Sequence, residues 1–275
     1  MKSFPLLILL AFTVTAYAGD TLSPAPQSIK PFAITEKTDI PVFFAGIAFA
    51  GAGFALEQSE QPLTQQEIDG LSRNSVNWFD RSATYYYSKT IDGISSILVD
   101  LAIAAPLGLL ADCKIRETII TYSLMYAEVE MFSYVLPCLG KGFFKRPRPF
   151  DYNPAVPLDV KQSDDSRASF FSRHTTFVFA SASFISTMYG AYHPESRLRP
   201  YVWAGSLAAA SVVGYMRYRA GYHFPTDILT GALAGMLVGC GVPLLHKTKN
   251  DGPCLSLIPV NDGFRLSLEL NKKYR

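Results

Sequence analysis

The sequence predicts an all-α protein, a helical bundle of about six apolar helices embedded in a membrane, with a short C-terminal β-hairpin. Three observations predict it. Six stretches of helical length carry almost no charge. Charged residues make up only 17% of the 275, against 49% hydrophobic, where a soluble domain carries ~25% charge. After Lys249 the helical pattern gives way to alternation around Asn261-Asp262-Gly263, the signature of a tight hairpin. This composition excludes disorder, collagen-like repeats and coiled coil. A formal charge of +2 offers no basic field for nucleic acid. The four cysteines have no CxxC spacing, which argues against zinc ribbons and thioredoxin-type chemistry.

Residues 1–18 have the form of a secretory signal peptide. Lys2 provides a positive start, an apolar run follows, and Ala16-Tyr17-Ala18 gives a small-x-small cleavage site; an uncleaved first anchor is the alternative. Residues 19–39 read as a Pro/Ser/Thr-rich tether, 40–249 as one helical domain and 250–275 as the hairpin extension. Within the domain, residues 40–56 run uncharged, and a second stretch spans 94–111 with Asp100 inside it. The third, 118–138, is interrupted by Glu128 and Glu130, which are expected to face helix partners. Residues 175–192, 200–216 and 228–245 hold 18, 17 and 18 residues without a charge. Eighteen helical residues reach ~27 Å, enough for a bilayer core; a tightly buried soluble bundle would read similarly. Gly231, Gly235 and Gly239 line one helix face and admit a close neighbour. The polar, aromatic segment 57–92, with Trp78 and Tyr85-Tyr86-Tyr87, reads as a helix lying at the membrane boundary or, equally, as a plain amphipathic surface helix.

Charge scarce elsewhere gathers in residues 140–173, where 11 of 34 side chains are charged. Lys141, Arg146 and Arg148 follow directly on an apolar helix. Ser172-Arg173-His174 opens another helix, whose free N–H groups form an anion site. A third cluster runs from Arg217 to Asp227. Pro225 suits a first helical turn, so Asp227 lies where it can hydrogen-bond one ring nitrogen of His223 and leave the other free as base or nucleophile. Each cluster alone is equally an ordinary solvated loop, a helix cap or a satisfied histidine. Jointly they supply fixed cations, an anion-binding helix start and two histidines, the requirements of phosphoryl transfer.

These residues resemble the type 2 phosphatidic acid phosphatase family, which includes class A bacterial acid phosphatases and vanadium haloperoxidases. Its pattern is Lys-x6-Arg-Pro, then Pro-Ser-Gly-His, then Ser-Arg-x5-His-x3-Asp. Lys141, Arg148 and Pro149 match the first motif; Ser172 and His174 match the second, with Phe171 for Pro and Arg173 for Gly; Arg217, His223 and Asp227 match the third, with Met216 for Ser. The resemblance implies that His223 attacks phosphorus and forms a phosphohistidine, oriented by Asp227. It implies that His174 protonates the leaving oxygen and then activates water. Lys141, Arg148 and Arg217 would hold the non-bridging oxygens, Ser172 would add a hydrogen bond, and Arg173 would point aside or act as a fourth cation. No metal and no cofactor are expected.

The expected substrate is a phosphorylated lipid (phosphatidate, a polyprenyl pyrophosphate or a lipid A type phosphate); the alternative is a small phosphate ester hydrolysed by a soluble exported acid phosphatase. A vanadate-dependent haloperoxidase and a non-enzymatic member are the remaining readings. The expected location is the inner membrane of the cell envelope, with the site facing the periplasm, or the periplasm itself for a soluble enzyme. Three stretches precede Lys141, so an outside start with three crossings puts the site inside; a non-crossing 40–56 restores an outward site. Alternating helices bring Cys113 and Cys254 to one end, and a bridge between them would favour the soluble reading.

Overall fold

The computed structural model describes residues 30–58 and 61–248, together with the backbone of 254–260 and 263–269. The expected leader, most of the tether and the hairpin turn at Asn261-Asp262 lie outside the described residues. Among the described residues nine α-helices occur, and six are long: α1 (Glu36–Gln58), α3 (Lys89–Ala104), α5 (Ile119–Phe144), α7 (Arg173–Tyr192), α8 (Arg199–Arg219) and α9 (Pro225–Leu245). Three are short: α2 (Gln65–Gly70), α4 (Cys113–Arg116) and α6 (Leu158–Lys161). The six apolar stretches of the sequence are thus the six long helices. Two terminal segments, Cys254–Val260 and Gly263–Glu269, pair antiparallel with Val260 opposite Gly263; the helical class is carried by the helices alone.

Residues 57–92 do not form the expected boundary helix. Thr64 caps α2 in a capping box with Glu67, and 3-10 turns at Arg73–Ser75 and Arg81–Tyr85 follow before Ser88 caps α3. Trp78 is 84% exposed on this segment.

Helix α7 lies at the centre and is packed by α9, α8, α5 and α3. The glycine stripe explains its closest neighbour. A Cβ on Gly235 would stand 2.3 Å from the Thr176 carbonyl oxygen, and one on Gly239 would stand 2.2 Å from that of Ala180. Only glycine lets α9 lie this close to α7. Such backbone contact supplies the packing on which helix association depends among lipid tails. Two positions along from the glycines, and so on the opposite face of α9, Leu229, Leu233 and Leu237 are all about 60% exposed.

Among the described residues, three segments are long and apolar enough to cross a membrane: Glu36–Leu56, Lys89–Ala111 and Pro225–Leu245. Their outward faces carry Ile40, Phe44, Ile47, Ile97, Leu101 and Leu233, an apolar surface that suits lipid rather than water. Helix α1 runs parallel to α5, because Gly46 meets Met131, Gly53 meets Cys138, and Leu56 meets Gly142. Helices α1, α5 and α8 therefore run toward one end of the bundle, and α3, α7 and α9 run away from it. At the opposite end Cys113 is exposed; the side chain of its expected partner, Cys254, lies outside the described residues.

Candidate active site

The charged motifs converge at the end where α5 and α8 finish and α3, α7 and α9 begin. The first motif is built by a helix end. Lys141 sits buried on the last turn of α5. Lys145 then takes a left-handed cap at φ 45° and reverses the chain, and Arg148, 2% exposed, returns into the same end. Its Nε and NH1 donate to the carbonyls of Asp165 (2.7 Å) and Tyr222 (3.0 Å), and NH2 pairs with Asp165 Oδ1 at 2.7 Å.

The third motif is built by a turn. Arg217 ends α8, Gly221 turns the chain at φ +77°, His223 follows and α9 starts at Pro225. A Cβ at Gly221 would lie 2.0 Å from the Tyr86 carbonyl, so both the backbone angle and the close approach require glycine. Arg217, 1% exposed, donates to Asp92 Oδ1 and to Ser95 Oγ (3.1 Å) on α3 and lies over the Tyr222 ring.

The second motif opens α7. Ser172 caps it, accepting from Thr175 N at 3.3 Å and from Thr175 Oγ1 at 2.9 Å. The Ser172 N–H donates to the Asp227 carbonyl at 3.1 Å and ties the starts of α7 and α9 together. His174 Nε2 lies 3.2 Å from Ser96 Oγ on α3. Arg173 is directed onto α5: its guanidinium stacks over Tyr134 at 4.7 Å and donates to Cys138 Sγ at 3.4 Å.

The expected hydrogen bond between Asp227 and His223 is not formed. His223 Nδ1 is 3.9 Å from Asp227 Oδ2 and instead donates to the Ser169 carbonyl at 2.8 Å. A carbonyl only accepts, so Nδ1 carries the ring proton and Nε2 presents its lone pair. Asp227 acts one step removed: its Oδ2 accepts from Ser169 Oγ at 2.5 Å and from Phe224 N at 2.9 Å. The residue whose backbone aims the imidazole is thus held by the carboxylate.

The sequence reading also missed the role of Arg146. Its NH1 pairs with Asp227 Oδ1 at 2.6 Å, its NH2 with Asp80 Oδ2 at 2.8 Å, and its guanidinium covers the Phe224 ring at 3.9 Å. Asp80 in turn accepts from Thr226 N (3.0 Å) and Thr226 Oγ1 (2.7 Å) at the start of α9. Burial opposes its charge, but hydrogen bonds from Arg146, Thr226 and Asn77 hold Asp80 below the ordinary carboxylate range. Asp92, Ser95 and Ser96 were missed as well; their signal was three polar residues in the first turns of an otherwise apolar helix.

Burial, then the charges of Arg148, Arg217, Lys141 and His174, hold His223 well below the ordinary histidine range. The imidazole therefore stays neutral in a field that favours anions. The Asp165 side chain is 56% exposed, and the facing charges of Arg148, Lys141 and Arg217 hold its carboxyl well below the usual range. The cations thus already attract an oxyanion.

Beneath the site lies an apolar cleft of about 460 Å³ between α3, α7 and α8. Its walls include Leu98 and Ala102 on α3, Val178 and Ile185 on α7, and Ala209 and Val213 on α8. Val178 is one turn beyond His174, and Val213 one turn before Arg217, so both helices carry site and cleft residues on one face.

A family comparison agrees with the motifs. The model of the PAP2 superfamily matches residues 119–251. A transmembrane PAP2 type phosphatidylglycerolphosphate phosphatase from Bacillus subtilis is 19% identical, covering 74% of this chain and 94% of that one at a TM-score of 0.46. LpxE from Aquifex aeolicus is 22% identical, covering 62% and 98% at 0.41. No curated protein matches. Lys141, Arg148, Ser172, His174, Arg217, His223 and Asp227 all lie within the segment that matches the PAP2 superfamily.

Proposed function

We propose that this chain is a phosphatase that hydrolyses a phosphate monoester or pyrophosphate of a lipid through a phosphohistidine intermediate. One observation carries the reading: His223 is held with Nε2 unprotonated, 3.4 Å from Arg148 NH1, among the charges of Lys141, Arg148 and Arg217 and beside His174.

In the first step the Nε2 lone pair attacks phosphorus in line. The phosphorus–oxygen ester bond breaks, and His174 relays the proton of a monoanionic phosphate to the leaving oxygen. Lys141, Arg148 and Arg217 stabilise the charge on the non-bridging oxygens, the term on which phosphoryl transfer depends most. The phosphate displaces the Asp165 carboxylate from Arg148. In the second step His174 takes a proton from water, the hydroxide attacks phosphorus, the phosphorus–nitrogen bond breaks and inorganic phosphate leaves. Asp227 and Arg146 are positioning residues acting on His223 through Ser169. Ser172 contributes by fixing the start of α7, and Arg173 by tying that start to α5.

The apolar cleft supports a lipid over a small ester, since it places room for an acyl or prenyl chain one helical turn from the phosphate groups. The site is taken to face outward from the inner membrane. Purified protein in detergent should turn over phosphatidate and an aryl phosphate, and His223→Ala should abolish both; robust turnover by that variant would sink the mechanism. Ala209→Trp, at an exposed cleft wall, should cut lipid turnover at least about tenfold and spare the aryl phosphate. Equal effects on both substrates would favour the small-ester reading.

A further inference from the structure

At the end of the bundle away from this site, Asp39 of α1, Glu128 of α5 and His246 just after α9 converge. One ligand atom from each lies within 4.8 Å of the others. His246 Nε2 is 3.0 Å from Asp39 Oδ1 and 3.5 Å from Glu128 Oε2. We propose that these three residues form a divalent transition-metal site of zinc type that clips α1 to α5 and α9.

Three observations carry it. His246 Nδ1 donates to the Val242 carbonyl at 2.8 Å, which leaves the Nε2 lone pair facing two carboxylate oxygens. A lone pair opposed by two anions calls for a cation between them. Second, Glu128 is 92% buried, from its 8% exposure, and its Oε2 accepts no hydrogen bond among the described residues; a buried oxygen aimed at the cluster has its acceptor capacity unused. Third, the surroundings orient the ligands as metal ligands are oriented. The Val242 carbonyl fixes the imidazole, and Thr35 N donates to Asp39 Oδ2 at 2.6 Å, leaving Oδ1 turned inward.

The spacing fits. Zinc with nitrogen and oxygen ligands at ~2.0–2.1 Å in tetrahedral geometry separates the ligand atoms by about 3.4 Å, and octahedral neighbours by about 3.0 Å. The two measured separations span these values. One imidazole and two carboxylates suit Zn²⁺ and its first-row neighbours, and three protein ligands leave a position for water. Asp39, with 20% of its side chain exposed, provides the way in. The site lies ~20 Å along α5 from Lys141 and ~28 Å along α9 from Asp227, so its role is to anchor α1 rather than to act on substrate.

The test uses untagged full-length protein in detergent, stripped with chelator and titrated with Co²⁺, whose visible absorption reports its ligands. One equivalent should bind and be displaced by Zn²⁺, and added Zn²⁺ should raise Tm. Glu128→Gln and His246→Gln should weaken binding at least about tenfold, whereas His193→Gln should bind as the parent does. Aryl phosphate turnover should be unchanged by stripping. Should either variant fail to fold, the titration of the parent protein still decides. No saturable one-to-one binding by the parent, with Tm indifferent to Zn²⁺, would overturn the proposal and leave a proton-held imidazole between the carboxylates. Binding equal in both folded ligand variants would also overturn it.

Discussion

Arg146→Met is the most informative perturbation, because Arg146 joins two carboxylates that are almost completely buried. The Asp80 and Asp227 side chains are 1% and 0% exposed, and Arg146 itself is 25% exposed. Removing one partner of a buried pair costs ~3–5 kcal/mol, and the partial exposure of Arg146 argues for the lower end, ~3 kcal/mol. At ~2–4 °C per kcal/mol for a domain of ~150–250 residues, Tm should fall by about 6–12 °C. The loss should depend on pH with a definite sign. Asp80 is held below its unfolded value, so its contribution is present above about pH 4 and is lost as pH falls through the lower folded value. Without Arg146 that depression shrinks to what Thr226 and Asn77 supply. The gap in Tm should be widest near neutrality and narrow below about pH 4. Catalysis should suffer too, since Asp227 holds Ser169 and Ser169 aims His223. A displacement of ~1 Å costs ~100-fold in rate, so kcat should fall roughly 10- to 100-fold with KM little changed. Thermal unfolding in detergent across pH 3–7 and aryl phosphate kinetics check both parts. A gap independent of pH, or full kcat at a lowered Tm, would refute the coupling.

The remaining predictions draw on other parts of the bundle. Gly235→Ala would push a Cβ to 2.3 Å from the Thr176 carbonyl and should destabilise by ~1–3 kcal/mol, whereas Gly241→Ala, which meets nothing within 4 Å on the same helix, should be neutral or stabilising by ~0.5–1 kcal/mol; comparing their Tm values separates packing from helix propensity. Arg173→Gly should keep kcat/KM within about twofold while losing the ~0.5–1 kcal/mol of its stacking on Tyr134. A tenfold loss of turnover in that variant would instead make Arg173 a substrate ligand. Because burial and the surrounding cations keep His223 neutral, the acid limb of kcat/KM should lie below 6.5, the usual histidine value. A limb near or above that value would mean the field is not as described.

What could be read from the chain follows the range of the interactions. The six long helices were legible because charge is excluded over whole stretches, and the motif residues because each falls at the end of such a stretch. Helix α5 runs to Phe144, past the expected Cys138, because Gly140 and Gly142 let Phe171 and Leu56 approach and Lys141 is buried among them. The segment 57–92 failed as a helix because side chains such as Thr64, Ser72 and Asn77 bond locally and break it into caps and turns. The link between Asp227 and His223 was legible only as proximity. The sequence places them four apart at a helix start; the Phe224 N–H, Ser169 and Arg146 claim the carboxylate, and the last two are 58 and 81 positions away. No local period encodes such a partner, and the same holds for Asp39, Glu128 and His246.

The direction of the helices turns the facing of the site into a sharp test. Since α1 lies parallel to α5 and reaches equal depth at Leu56 and Gly142, it leads from the far end to the site end. If α1 crosses, the site is on the side opposite residue 36. A mature start outside and an outward site then exclude each other, and an outward site requires residue 36 to lie inside. The molecule supplies its own reporter. Cys113 is exposed at the far end, while Cys138 is buried. In a background where Cys113 is retained and the other three cysteines are serine, a membrane-impermeant maleimide should leave intact cells unlabelled. Moving the single cysteine to the exposed Ala155, in the loop between Arg148 and α7, should give labelling. The reverse pattern would put the site inside, and labelling of both positions would mean that the bundle does not cross the membrane.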